Sequence, residues 1–195
     1  MIYLVRHGQT EFNLVRRYQG ALDSPLTEQG VGQARRIGAL LGSLVGGQPG
    51  WELVASPQGR AWRTAELVNE TLGLALTPEP RLREISLGSW DGRLISEVEA
   101  RLPPEADPWE RFFYSPDGDS YETIAERVLE WLGEVEASGR KVVAVSHGVT
   151  GRIIRGLYGR LSRPDMLTLA VPQDAVFRLD GGRIERIDCP SEATA

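Results

Sequence analysis

The sequence predicts an α/β fold: a three-layer α/β/α sandwich with a mostly parallel central sheet, an antiparallel edge and an inserted lid segment at about 85–118. Short runs at 2–5 and 142–145 are apolar without alternation, the pattern of strands covered on both faces. Between them, apolar side chains recur at helical spacing. Strands alternating with amphipathic helices make a parallel sheet, because parallel neighbours need a crossover long enough to hold a helix. A chain of 195 residues has the size of one domain, expected here over 1–195.

Ile-Tyr-Leu-Val at 2–5 is the first expected strand. From Thr27, the side chains of Val31, Ala34, Ile37, Leu41 and Leu44 form one stripe at period 3.6. Trp-Glu-Leu-Val-Ala at 51–55 is the next strand. Ser56 as N-cap and Pro57 at the first helical position then start a helix. It carries Ala61, Ala65, Val68 and Leu72 on one face, and Gly73 closes it. Asp119 or Ser120 caps a helix with Tyr121, Ile124, Val128, Leu132 and Val135 inside, and Gly139 follows. A further helix runs from about Val149 to Tyr158. Residues 168–171, 175–179 and 183–187 read as strands, the last two a hairpin through Gly181-Gly182 at the sheet edge. Residues 85–118 are irregular, with Pro103, Pro104 and Pro108 and the aromatics Trp90, Trp109, Phe112, Phe113 and Tyr114. They form either a segment folded over a site or a satellite cluster under a long loop.

Composition removes several classes. One cysteine, Cys189, excludes an intramolecular disulfide and a thiolate-only metal site. No apolar run approaches the ~20 residues that span a bilayer. The N-terminus enters a strand directly, without a secretory pattern, so a cytoplasmic protein is expected, with no membrane partner. A net charge of −5 argues against nucleic acid as a partner. A hairpin at the sheet edge could support a homodimer.

Both histidines of the chain, His7 and His147, occur in one context. Ile-Tyr-Leu-Val-Arg-His-Gly ends one expected strand and Val-Val-Ala-Val-Ser-His-Gly ends another. Ligand sites of open α/β sheets lie beyond the carboxyl ends of the strands. A lone histidine is more often a hydrogen-bonded structural one; two in the same context point to a site. The glycine after each lets the backbone turn and a ligand approach. Arg6 beside His7 is unfavourable to a metal cation and suits an anion, whose oxygens match a guanidinium fork. Arg60 lies in the first turn after Ser56-Pro57, where main-chain N–H groups and the helix dipole would add to its field. Glu84 opens the irregular segment and is a candidate acid, one that aromatics such as Trp90 could keep protonated.

Four blocks carry a resemblance. Arg6-His7-Gly8-Gln9-Thr10-Glu11-Phe12-Asn13, with Tyr18-Gln19-Gly20 and Asp23-Ser24-Pro25-Leu26-Thr27-Glu28-Gln29-Gly30, resembles the opening of the histidine phosphatase superfamily, the phosphoglycerate-mutase-like fold. Ser56-Pro57 through Arg60, then Thr64-Ala65, resembles its second block. Leu82-Arg83-Glu84 through Trp90-Asp91-Gly92 resembles the third, and Ser146-His147-Gly148 the fourth. The blocks occur in family order. The resemblance implies that His7 carries the phosphoryl group and that Arg6, Arg60 and His147 complete a phosphate pocket. It implies that Glu84 donates and accepts the proton, and that Asn13, Thr10, Gln19, Gly20 and Gly148 are further substrate contacts. No cofactor and no metal are implied.

The resembled family contains hydrolases and cofactor-dependent mutases. Mutases carry Arg-His-Tyr-Gly after the acidic residue, where this chain has Ile85-Ser86-Leu87-Gly88. The stretch 85–118 holds only Arg93, Arg101 and Arg111 as basic residues, with no evident second phosphate site. The expectation is therefore a phosphomonoesterase acting on a small phosphorylated metabolite through a phosphohistidine. The aromatic insertion suggests a lid over a partly apolar organic group. The alternatives are a cofactor-dependent phosphoglycerate mutase, a metal-dependent hydrolase using His7, His147 and a carboxylate, and a non-catalytic phospho-ligand binder.

Overall fold

The computed structural model describes residues 1–190, so the last five residues of the expected domain lie outside the described residues. Six strands form one sheet: β1 (Ile2–Arg6), β2 (Trp51–Ala55), β3 (Leu76–Pro78), β4 (Lys141–Ser146), β5 (Ala175–Asp180) and β6 (Arg183–Asp188). Their order is β3-β2-β4-β1-β5-β6. The first four are parallel, and β5 and β6 add an antiparallel edge.

Successive side chains of a strand face opposite sides, which makes a buried strand apolar throughout. In β1, Ile2 and Leu4 join one core, and Tyr3 and Val5 join the other. The first core is closed by α5 (Tyr121–Ser138), α6 (Gly148–Tyr158) and α7 (Arg163–Thr168), through Ile124, Trp131, Ile153 and Met166. The second is closed by α2 (Glu28–Val45) and α3 (Gly59–Leu72), through Ile37, Leu41, Ala65 and Val68. Two short helices complete the set: α1 (Glu11–Leu14) after β1, and α4 (Ile95–Glu99) in the irregular segment. Helix starts follow capping chemistry: the hydroxyls of Thr27 and Ser120 accept from the N–H groups of Gly30 and Thr123.

Three sequence expectations fail. Residues 168–171 are not a strand. Thr168 ends α7, and the next three carbonyls accept from arginines: Leu169 O from Arg152 Nε at 2.7 Å, Ala170 O from Arg155 Nη2 at 2.6 Å and Val171 O from Arg6 Nη1 at 2.5 Å. The main chain here is held by side chains rather than by a neighbouring strand. Second, α3 starts at Gly59 with Gln58 as cap, and the Ser56 hydroxyl turns to His147 instead. Third, β3, α1, α4 and α7 have no counterpart in the sequence reading, being too short to show a period.

Strand register positions the site. Arg6 pairs with Ser146 and Ala55 with Val145. Ser56, His7 and His147 are therefore the next residues at the carboxyl ends of three adjacent strands, and His7 N–H donates to Ser146 O at 3.0 Å.

Candidate active site

His7 is 3% exposed, and its Nδ1 lies 2.8 Å from Gly8 O. A carbonyl only accepts, so Nδ1 carries the proton and Nε2 keeps its lone pair. His147 is 1% exposed, with its ring centroid 5.2 Å from that of His7. Its Nε2 lies 2.7 Å from Ser56 Oγ. That hydroxyl accepts from Gln58 N–H at 3.3 Å and has no other acceptor for its own proton among the described residues, so it donates to Nε2 and the ring proton sits on Nδ1. Nδ1 of His147 is buried without a partner among the described residues. Burial, then Arg60, pushes the pKa of each histidine well below its ordinary value, with Arg6 adding to both. Both rings are neutral near pH 7.

Arg6 closes β1 beneath Val171 and keeps its Nε buried without a partner. Burial brings its pKa down to about 10, so it stays a cation. Arg60 is 2% exposed and held by Gly20 O (2.9 Å), Leu22 O (2.7 Å) and Asp23 Oδ1 (2.8 Å). The helix dipole does not reach a ligand here as the sequence suggested. Asp23 takes the first N–H groups of α3, at Gly59 (2.6 Å) and Arg60 (3.2 Å). Its cap is a carboxylate from the first block, which ties that block to Arg60.

Glu84 sits differently from the expectation. Trp90 stacks on Tyr18. The carboxyl instead faces the start of α6, where Val149 N–H donates to Oε2 at 3.0 Å and Thr150 N–H to Oε1 at 2.9 Å. The Thr150 hydroxyl lies 3.0 Å from Oε1 and 2.7 Å from Arg83 O. It can give its single proton to either, and so can face a carboxylate as donor or a protonated Glu84 as acceptor. Gln58 joins the parts: its Oε1 accepts from Glu84 N–H at 2.7 Å and its Nε2 donates to Gly20 O at 2.9 Å.

Arg6, His7, Arg60, Glu84 and Gly148 line one cleft of about 770 Å³, measured to its open mouth, together with Asn13, Gln19 and Gly20. His147 packs beside His7 and is not among the residues that line this cleft. Thr10 does not line it either: fully buried, it caps α1 and accepts from Gln19 Nε2 at 2.5 Å. Asn13 lines the cleft with its Oδ1 taken by Thr10 N–H and Gln173 Nε2, which leaves its NH2 for a ligand. Neither Gly8 nor Gly148 has a positive φ. A Cβ on Gly8 would collide with the Gly30 carbonyl, so that glycine serves the approach of two backbones rather than a ligand. Gly20 does need its freedom, with φ +50° and the Asp91 carboxylate where a Cβ would stand.

Arg17, Arg111 and Arg152 also line the cleft, and the sequence reading placed none of them in the site. The expected absence of basic groups beyond the first pocket is thereby corrected. They come from three separate segments, and counting charges after Glu84 could not bring them together. One signal existed: Arg152 lies four residues after Gly148, on the same helix face. The irregular segment gives the cleft Ile85, Leu87, Ile95 and Phe112. Phe113 packs on Tyr121, and Trp109 and Tyr114 are exposed. Among the described residues no three His, Cys, Asp or Glu side chains converge as metal ligands, and no helix is long and apolar enough to cross a membrane.

A Serratia proteamaculans (strain 568) protein named probable phosphoglycerate mutase GpmB is 36% identical over 157 residues, 76% of this chain and 69% of its own. A mycobacterial glucosyl-3-phosphoglycerate phosphatase in complex with VO3 superposes with TM-score 0.78 at 28% identity, over 99% of both chains. Bacillus stearothermophilus YhfR superposes with TM-score 0.76 at 29% identity, over 96% of this chain and 95% of that one. The sequence profile of the histidine phosphatase superfamily (branch 1) matches residues 2–184, a span that holds both histidines, both pocket arginines and Glu84. The chain belongs to that superfamily.

Proposed function

We propose that the protein is a phosphomonoesterase that moves the phosphoryl group of a small phosphorylated metabolite to His7 and then to water. The observation that carries this reading is the free Nε2 of neutral His7, with Arg60 and Arg6 as the cations acting most strongly on it. The Nε2 lone pair attacks phosphorus and the P–O bond to the alcohol breaks. The leaving oxygen takes a proton that resides on Glu84 or arrives on the ester monoanion. Water then attacks the phosphohistidine and gives a proton to the Glu84 carboxylate. The P–N bond breaks and His7 returns neutral. Arg6 and Arg60 follow the charge on the phosphoryl oxygens, and the unpartnered Nδ1–H of His147 is a further donor for them.

A rapid denaturing quench at alkaline pH during turnover, followed by mass spectrometry under alkaline conditions, should find the phosphoryl group on His7. Turnover should persist in chelator, since guanidinium groups supply the charge that a metal would. Phosphate trapped only on another residue would overturn the assignment. A second reading, phosphoglycerate mutase, is favoured by Arg17, Arg111 and Arg152 in the same cleft. Isomerisation of 3-phosphoglycerate faster than its hydrolysis would select it.

A further inference from the structure

We infer that Gln58 is a positioning residue for the reaction, acting on both halves of the site at once. One end of its side-chain amide holds the main chain of Glu84, and the other holds the loop that grips Arg60. The inference rests on the phosphoryl-transfer reading above and names the residue that keeps its proton-transfer group in register with its phosphate pocket.

Gln58 Oε1 accepts from Glu84 N–H at 2.7 Å, and its Nε2 donates to Gly20 O at 2.9 Å. A main-chain N–H only donates and a carbonyl only accepts, so the two ends of the amide cannot be exchanged. Gly20 O is also the carbonyl that accepts from Arg60 Nη2 at 2.9 Å. Among the described residues, Gln58 Oε1 is the one acceptor that Glu84 N–H has. The Glu84 carboxyl is held separately, by the N–H groups of Val149 and Thr150. A grip on the main chain and another on the carboxyl fix the side chain between them. Gln58 is half-buried and is not among the residues that line the cleft, so it acts on a substrate through Glu84 and Arg60. Its main chain has partners of its own: the N–H donates to Ser56 Oγ at 3.3 Å, and the carbonyl accepts from Ala61 and Trp62 N–H at 3.0 Å. A change confined to the side chain therefore leaves the start of α3 and the contact between Ser56 and His147 in place.

Two variants take the amide apart. Gln58→Leu removes both polar ends, and Gln58→Glu keeps an oxygen for Glu84 N–H but turns a second oxygen on Gly20 O. The ratio of kcat/KM for propyl phosphate to that for phenyl phosphate reads the Glu84 end, because an alkoxide needs the proton and a phenoxide hardly does. The Kd of inorganic phosphate, by calorimetry, reads the Arg60 end. In Gln58→Leu the ratio should fall about ten- to a hundredfold, the cost of a misplaced group. Its Kd should rise about three- to tenfold, the worth of one neutral hydrogen bond. In Gln58→Glu the ratio should stay close to the parent's while the Kd still rises. Amide hydrogen exchange at Glu84 reads the first end without turnover: faster in Gln58→Leu, parent-like in Gln58→Glu. Gln58→Glu carries the test alone if the leucine variant does not fold. A parent that binds phosphate but hydrolyses neither ester would sink the phosphomonoesterase reading, and exchange at Glu84 with the phosphate Kd would still decide the role of Gln58. A merely structural role would slow both esters together and leave the ratio, which overturns the inference. A parent-like Kd in either variant, or a Gln58→Glu ratio as low as that of Gln58→Leu, would overturn it too.

Discussion

The hydroxyl of Ser56 lies 2.7 Å from Nε2 of His147, where the ends of β2 and β4 meet. Both groups are buried, and Ser56 Oγ also accepts from Gln58 N–H. The serine thereby sets the same tautomer in the second histidine as in the first but leaves the opposite nitrogen spare: the proton is on Nδ1 in both rings, the free nitrogen is Nε2 of His7 and the spare donor is Nδ1–H of His147. Ser56→Ala should release that choice. A buried hydrogen bond lost with its partner left in place costs ~1–3 kcal/mol of stability, and kcat/KM should fall as the Nδ1–H donor of His147 loses its fixed tautomer. Ring ¹⁵N shifts of His147 should move toward a tautomer mixture. An unchanged ¹⁵N spectrum in the alanine variant would refute the role.

The two rings also make stability fall in acid. In the folded, ligand-free protein both pKa values lie well below their unfolded value of about 6.5, burial being the largest cause. The unfolded chain therefore takes up protons that the folded chain refuses. Stability is full above about pH 6.5, declines as pH drops below it, and levels off under the folded values. Each histidine contributes up to ~1.4 kcal/mol per pH unit in that window. Urea midpoints taken near pH 7.5 and near pH 5.5 should differ accordingly, and His147→Gln should lose part of the slope. For the same reason the acid limb of kcat/KM should lie below the ordinary histidine range as far as His7 governs it. A parent and a His147→Gln variant with equal slopes would show that the His147 ring titrates normally.

Asp23 joins the cap of α3 to the grip on Arg60, through three contacts of one carboxylate at 2.6, 3.2 and 2.8 Å. Its side chain is 41% exposed, so the ion pair is screened and the cap carries more of the stability. Asp23→Asn keeps an oxygen for the cap but removes the charge and one acceptor. Stability should drop by about 0.5–2 kcal/mol, while KM for a phosphomonoester rises as Arg60 loosens. A variant that loses stability with an unchanged KM would separate the cap from the site.

The legible parts of this molecule were those with a period or a repeat. The buried strands around His7 and His147, and the stripe Val31–Leu44, carry their geometry in local pattern. The twin endings Arg-His-Gly and Ser-His-Gly located the site, and register made them neighbours. What pattern could not show was where polar atoms go. Residues 168–171 have strand composition, but three arginines from β1 and α6 take the carbonyls. Thr10 sits in a conspicuous block, yet its hydroxyl is used by Asn13 N–H and Gln19. Glu84 looked like an acid under aromatics because Trp90 is near in sequence; tertiary packing gave Trp90 to Tyr18 and the carboxyl to the N–H groups of α6. Arg152 was invisible as a site residue because only folding brings it to the ring of Phe112.

The setting of Glu84 makes its amide variant informative. Both carboxylate oxygens accept main-chain N–H groups of α6, Oε2 from Val149 and Oε1 from Thr150. In Glu84→Gln one of these N–H groups must face the amide NH2, donor against donor, at a cost of ~1–3 kcal/mol. Some loss of melting temperature is therefore expected, and activity must be judged on protein that remains folded. Proton transfer is lost outright. Alkyl phosphates, whose alkoxides leave poorly, should slow by about 10²–10⁴-fold. Aryl phosphates leave with little protonation, so phosphorylation of His7 should survive better. Hydrolysis of the phosphohistidine would then limit the rate, since its water has lost the base. The expected signature is a burst of phenol matching the enzyme concentration, followed by slow turnover, from a variant nearly inert toward alkyl esters. A folded Glu84→Gln protein as fast as the parent on alkyl phosphates would place the proton elsewhere and remove Glu84 from the chemistry.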